Sequence, residues 1–422
     1  MRRNSRLLHS LRVRSASTTS GLPTAATLVN GQSRLHSLDV LRGIAAIVVV
    51  FWHWQHVQVL GGPILTLSPD SDLTDPMSEP FHVLLRPIYE YGLYAVDLFF
   101  LLSGFVFYWL YRKPIEAKSI TILQFSVARF SRLYPLHLAT LLTAAVLEFW
   151  FHALSGQFFI YQANDSMHFV MSLFFIQLSG QKAAFNGPEW SLFIELLMYA
   201  AFFSAARMGV LRYNIGSIVG IALGLFLWHL DIRLSLARGL CGFFLGGITF
   251  TVYSLIVSSS RARVFFFALV GLTLLGWSAV LANIYTGGLV RLYLAPFGVL
   301  NDDRGLLLAI LYGLFPISIL TAALLEGLWN VPYTRLAWLG EASYSSYLLH
   351  FPLQLVLAIA VYLKIISVTG SQSTISLLAY LAVLIPLSIF VFRRFERPMQ
   401  NRIRRIGRRP RLTNESRPTE SD

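Results

Sequence analysis

The sequence predicts an all-α, polytopic transmembrane helical bundle of about ten spans, with both termini cytoplasmic. Three observations lead there. Charged residues make up 13% of the 422-residue chain, about half the share found in a soluble domain. Apolar types make up 55% and aromatics 14%, which leaves too little polar surface to dissolve a globule. The net charge of +13 is gathered at the two ends of the chain. The same figures exclude a disordered chain, a collagen-like chain and a small disulfide scaffold. Cys241 is the single cysteine. It cannot form an internal disulfide, and its apolar surroundings read as packing.

Residues 1–37 hold six arginines and no acid, and residues 393–422 hold ten arginines and four acids. Together they supply +12 of the net +13. Basic tails beside a hydrophobic body read as cytoplasmic anchors next to anionic lipid. Without interleaved aromatics or a folded module around the arginines, nucleic acid is not an expected partner. The acid-free N-terminus, rich in Arg, Ser and Thr, also fits a transit peptide. No small-residue cleavage pattern follows the first apolar run, so no cleavable signal is expected. The expected organisation is a basic disordered tail over 1–37, a transmembrane domain over 38–398 and a second basic disordered tail over 399–422.

Apolar segments of spanning length lie near 38–57, 91–111, 134–153, 190–206, 213–230, 236–257, 264–282, 305–326, 336–361 and 375–392. Each is expected to be a helix, because lipid offers no water to unpaired backbone groups. A shorter run, 167–178, covers only about 18 Å as a helix, against a hydrocarbon core of about 30 Å. Charge decides its path. If 167–178 crossed, Arg207, Arg212, Arg261 and Arg263 would face outside. If it is re-entrant or lies at the surface, those four fall inside with Arg112, Lys113, Lys118, Arg129, Arg132 and Arg335. The second arrangement obeys the positive-inside rule at nearly every loop. Arg233, Arg291 and Lys364 are its exceptions.

Ionisable groups within the apolar body each need a reason, since one at mid-membrane costs about 2.5–3.5 kcal/mol on insertion scales. Arg42 and His53 lie eleven residues apart on the first span. That spacing is about 20° beyond three full turns, so both share one helix face, about 16 Å apart along the axis. A snorkelling arginine and an interfacial histidine would also explain them. Asp97 lies in the outer part of the second span, where a carboxylate suits either a neighbouring imidazole or a structural hydrogen bond. Ser103-Gly104 reads as a close-packing point. Arg129 and Arg132 share a face at the inner lip of the third span, where guanidinium forks suit phosphate oxygens or simply satisfy positive-inside charge. Glu195 is buried in the fourth span and needs a partner. Ser343, Ser346 and His350 form one polar stripe on the ninth, which implies an interhelical contact or a water-filled cavity. No metal is expected: His53 and His56 lack a third ligand at metal spacing. No P-loop, HExxH, GxSxG or CxxC pair is present, which disfavours nucleotide-driven pumping, zinc proteolysis and a serine-hydrolase elbow.

The ordered set of motifs resembles the integral-membrane acyltransferase family 3. The residues that carry the resemblance are Leu38-Asp39-Val40-Leu41-Arg42-Gly43 with His53, then Val96-Asp97-Leu98-Phe99-Phe100-Leu101-Leu102-Ser103-Gly104-Phe105. Arg129-Phe130-Ser131-Arg132-Leu133-Tyr134-Pro135 and Trp190-Ser191-Leu192-Phe193-Ile194-Glu195 follow. Arg238-Gly239-Leu240-Cys241-Gly242-Phe243, Ser343-Tyr344-Ser345-Ser346-Tyr347-Leu348-Leu349-His350 and Phe395-Glu396-Arg397-Pro398 complete it. Leu196-Leu197 departs from the polar or large residues usual after the fourth-span glutamate. With no hydrolase-like segment after the last span, the chain resembles the standalone form.

The resemblance implies a membrane-embedded O-acyltransferase of a bacterial inner membrane. The donor would be acetyl-CoA or another acyl-CoA on the cytoplasmic side. The acceptor would be a hydroxyl of a cell-surface glycan or glycolipid, carbohydrate or lipid-linked, on the outer side, with membrane lipids around. His53 matches the essential histidine, and Arg42, Arg129 and Arg132 match arginines linked to donor handling. His53 is then expected to act as general base, oriented by Asp97 or Glu195, with a covalent acyl-histidine the less favoured variant. Ser346, His350, Trp190 and Tyr134 are expected at the cavity and substrate. The competing reading is a transporter or flippase that uses the same buried charges as a path. It lacks support from internal repeats or paired broken helices.

Overall fold

The computed structural model describes residues 34–58, 60, 79–176, 185–232, 234–286, 303–329 and 331–407. Among them every regular element is helical. Nine helices are long and apolar enough to cross a membrane, and a tenth, Ile215–His229, is a shorter apolar helix of 15 residues. The chain order is α1 (His36–His53), α2 (His82–Tyr91), α3 (Ala95–Leu110), α4 (Ile122–Ser155), α5 (Ser166–Leu173), α6 (Trp190–Arg207), α7 (Ile215–His229), α8 (Leu234–Val257), α9 (Ala262–Tyr285), α10 (Phe315–Trp329), α11 (Ala337–Tyr362), α12 (Thr374–Val391) and α13 (Arg397–Gly407). A single 3₁₀ turn, Gly92–Tyr94, joins α2 to α3, so the second crossing runs from His82 to Leu110.

The local sequence explains the ends. Thr121 and Gln124 form a reciprocal capping box that starts α4, and Gly156, at φ 77°, closes it. Only a residue without a Cβ takes that conformation without strain. The N-terminus of α1 has no side-chain cap of its own. Instead Glu326 of α10 accepts the backbone N–H of His36 at 3.0 Å and of Ser37 at 2.7 Å. A carboxylate at a helix N-terminus satisfies orphan donors and the dipole together.

The segment expected to be re-entrant or superficial contains α5, eight residues capped by Asp165. At about 12 Å it is too short to cross. The bundle therefore has two distinct ends. At one, Arg34 pairs with Glu341 at 3.2 Å and Arg207 donates to the Ile115 carbonyl at 3.4 Å. At the other, Gln55 donates to the Tyr89 carbonyl at 2.8 Å and Tyr285 to the Leu84 carbonyl at 2.7 Å. With ten crossings, Arg112, Lys113, Lys118, Arg207, Arg212, Arg261, Arg263 and Arg335 gather at the first, the basic end. The second is the histidine end.

Small residues set the tightest crossings. A side chain at Gly104 would strike the backbone of Phe243, and one at Gly246 would strike that of Leu101, so α3 and α8 lie backbone to backbone. Ser103-Gly104 is thus a packing point, as its sequence suggests. α11 is central, with 67% of its apolar window buried, while α9 shows 11% and faces outward.

One boundary differs from expectation. Residues 399–407, read as part of a disordered tail, are helical within α13. The average composition hides Met399 and Ile403, which are half-buried four residues apart, and α13 packs on α4. Residues 1–33 and 408–422, where the rest of the two tails falls, lie outside the described residues, as do Arg233 and Arg291.

The crossing pattern makes a direct prediction. In a Cys241→Ala background, Asp165→Cys and Val210→Cys are expected to react with a membrane-impermeant maleimide from opposite faces of sealed vesicles. Labelling of both from the same face would refute ten crossings.

Candidate functional site

His53 ends α1 and is buried. Its Nδ1 lies 2.9 Å from the Val49 carbonyl. A carbonyl only accepts, so Nδ1 carries the proton and Nε2 is left as the basic nitrogen. Two further imidazoles surround it: the His350 ring at 4.7 Å and the His56 ring at 5.1 Å, centroid to centroid. Gln354, one turn beyond His350 on α11, ties the group together. Its Nε2 donates to the His53 carbonyl at 2.8 Å, which turns its Oε1 toward His56 Nδ1 at 3.1 Å. His56 is therefore held as the same tautomer as His53. Tyr380 fixes the turn by donating to the His350 carbonyl at 2.7 Å.

Toward the basic end, a cavity of about 50 Å³ is lined by Arg42, Ser103, Ser191, Glu195, Tyr344 and Tyr347 among others. His53 is not part of that lining, so this cavity does not itself reach from Arg42 to His53. Tyr199 donates to Glu195. Arg42 and Arg132 interact electrostatically with each other and with Glu195, and Arg132 also with Glu396. Glu396 in turn accepts from Ser345 at 2.7 Å. Tyr347 donates to the Pro188 carbonyl at 2.8 Å and meets Ser191 at 2.9 Å. Arg129 is buried in an aromatic box. Its Nη2 donates to Tyr111 at 2.5 Å, and its guanidinium lies 4.7–5.8 Å from the Tyr111, Phe107 and Tyr199 rings. Rings hold a guanidinium by cation–π attraction while leaving its charge uncancelled.

Several expectations are corrected. Asp97 does not orient His53: it is buried against Arg238 of α8, with contacts of 2.5–3.2 Å to Nε and Nη2. Glu195 sits with Arg42, Arg132 and Tyr199, away from the imidazoles. Among the described residues no carboxylate contacts the His53 ring; the Val49 carbonyl does. Trp190 backs the Arg238 guanidinium at 5.7 Å, and Tyr134 stacks on Phe130 at 4.5 Å. Ser346 donates to the Ser343 carbonyl of its own helix. None of these three residues lines the Arg42 cavity. His350 is brought to His53 across helices, an interhelical contact being one of the two outcomes its stripe left open.

The sequence reading weighed His56 only as half of a metal pair with His53 and missed Gln354, whose only signal was polarity in an apolar run. It also missed two wholly buried acids. Glu189 meets His137 at 3.2 Å, while His137 Nε2 donates to the Ser172 carbonyl at 3.0 Å, pinning α5 to α4. Glu148 accepts the Phe159 N–H at 3.0 Å. Among the described residues, no group of three His, Cys, Asp or Glu stands in a metal-holding arrangement.

The chain has recognisable relatives. A family model described as an acyltransferase domain matches residues 35–393. The protein named acyltransferase MdmB, from Streptomyces mycarofaciens, is 33% identical over 175 residues, covering 40% of this chain and 38% of that protein. The protein named protein 2 in picA locus, from Rhizobium radiobacter, is 30% identical over 189 residues, covering 41% of this chain and 81% of that one. The chain thus spans well under half of the first relative's length. No solved structure matches it.

The Asp97–Arg238 pair should behave as fold, not chemistry. Asp97→Ala strands a buried guanidinium and is expected to cost about 3–5 kcal/mol, read as a lower unfolding temperature in detergent. Asp97→Ala with Arg238→Met should recover most of it. An unchanged midpoint in the single variant would show that the pair does not hold α3 to α8.

Proposed function

The chain belongs to the acyltransferase family whose domain model spans residues 35–393, and from that membership we propose that it transfers an acyl group, acetyl in the simplest case, from a coenzyme A thioester to a hydroxyl. The donor enters at the basic end, taken to be cytoplasmic by the positive-inside rule. Its phosphates meet Arg129 and Arg132, whose charges are held by rings and at a distance from carboxylates rather than in ion pairs. The acyl-pantetheine arm runs between the helices past Arg42, which requires the packed cavity there to widen. The acceptor, a carbohydrate or lipid-linked hydroxyl of a cell-surface glycan, approaches at the histidine end. This topology suits a bacterial inner membrane.

In this reading His53 Nε2 takes the hydroxyl proton as the oxygen attacks the thioester carbonyl. The tetrahedral intermediate then collapses, the carbon–sulfur bond breaks, and the proton passes from His53 to the departing thiolate. Products are the O-acyl ester and free coenzyme A. Val49 sets the tautomer, and Gln354 holds the backbone of His53 and the ring of His56. Glu195 and Glu396 balance the charge of Arg42 and Arg132 when no donor is bound. The observation that carries the reading is a buried imidazole whose Nδ1–H is fixed on Val49, on the same helix face as Arg42.

The test is label transfer from [¹⁴C]acetyl-CoA to endogenous glycans in vesicles containing the protein. His53→Ala should lower transfer by about 10²–10⁴-fold, and Gln354→Leu by a smaller factor. Full transfer by His53→Ala would remove it as base. Glycan or donor uptake without any transfer would favour a transporter.

A further inference from the structure

The C-terminal helix, written off by composition as a tail, closes a second cavity at the basic end. About 350 Å³ in volume, it lies between Tyr111 at the end of α3, the first turns of α4 at Gln124, Phe125 and Ala128, and Arg404 of α13. That volume falls in the range of small-molecule sites, about 300–1,000 Å³. The cavity adjoins the aromatic box: Tyr111 lines it and also accepts from Arg129 at 2.5 Å.

The lining has a definite chemistry. Tyr111 and the buried Phe125 give the cavity an aromatic wall of the kind a planar heterocycle packs against. Gln124 turns its Oε1 back to the Thr121 N–H at 3.0 Å, so the group it offers the cavity is an N–H donor. Arg404 adds a guanidinium, which recognises a phosphate by paired hydrogen bonds. Among the described residues no acid lines the cavity. Beside it, Arg393, Arg397, Arg402 and Arg405 surround an open basin of about 540 Å³, again with no acid among the described lining residues. Such a field concentrates anions at the mouth.

We propose that this cavity holds the nucleotide end of the donor, a purine ribonucleotide bearing a 3′-phosphate, with Arg404 on that phosphate and the ring against Phe125 and Tyr111. The proposal rests on the coenzyme A reading above and extends it, because it makes α13 part of the donor site. The pantetheine arm would leave the cavity at Tyr111 and pass Arg129 on its way to Arg42.

Direct binding separates this subsite from turnover. Adenosine 3′,5′-bisphosphate and adenosine 5′-monophosphate are titrated into the purified full-length protein. The wild type should prefer the bisphosphate by about tenfold or more, the scale of one charge-assisted contact. Arg404→Gln should abolish that preference while leaving the monophosphate affinity unchanged, and Arg404→Lys should restore part of it. Unchanged monophosphate binding also serves as the folding control. In parallel, Arg404→Gln should raise KM for acetyl-CoA and not for acetyl-3′-dephospho-CoA. Equal affinity of the wild type for both nucleotides, or an equal loss for both in Arg404→Gln, overturns the assignment. A bisphosphate preference that depends on Arg404, without acetyl transfer, upholds the subsite and sinks the acyl-transfer reading instead.

Discussion

A side chain at Gly340 would strike the backbone of Asp39, and one at Gly43 would strike Leu339, so α1 and α11 pack backbone to backbone near the basic end. Eighteen Ångström or so further along the same pair of helices, Gln354 donates to the His53 carbonyl. This double fastening governs the rest of the site. It puts His350 against His53 and leaves α1 unable to rotate without breaking a buried hydrogen bond. Glu326 locks the third coordinate by capping the N-terminus of α1. In lipid each of these polar contacts has no water to replace it, so the cost of slipping is high.

The buried charges then divide by how they are neutralised. Asp97 with Arg238 is a closed pair at hydrogen-bond range that joins α3 to α8. Removing one partner of such a pair leaves a stranded charge, which is why pairs of this kind report on folding. Arg42, Arg129 and Arg132 are different. Among the described residues none forms an ion pair within 4 Å, and Arg129 is carried by three aromatic rings. A guanidinium stabilised by ring faces and by carboxylates at longer range keeps most of its attraction for an incoming anion. By this criterion the geometry separates ion-paired guanidiniums from those held by rings and distant carboxylates, which residue type alone does not.

That sorting also marks the limit of what the residue order makes legible. Helical periodicity placed Arg42 and His53 on one face, and loop charge assigned the short run containing α5 to one side, because both arguments are local. Partnership across the bundle is not local. Asp97 finds Arg238 141 residues away, and His53 finds Gln354 301 residues away. A helix pattern states which face is polar and leaves open what that face meets. Hence Asp97 and Glu195 were both reasonable supports for His53, and neither is one. The α13 helix was hidden for a related reason: its few apolar residues matter only because α4 is there to cover them.

A carbonyl behind His53, in place of a carboxylate, constrains the proposed chemistry. Val49 fixes the tautomer and direction of the ring but supplies no full negative charge to an imidazolium. The rings nearest to His53 are Trp52, His350 and His56, and none of them carries an anion. Among the described residues a proton resting on Nε2 would find no anion against the ring, and burial of such a charge is costly. The low-energy course is for the proton to spend little time there, moving from the acceptor hydroxyl to the thiolate as the latter departs. A thiolate suits this course because it is itself a good leaving group and a modest base, so it does not need a long-lived strong acid beside it. On this argument the proposed role of His53 is that of a relay whose direction is set by the Val49 carbonyl.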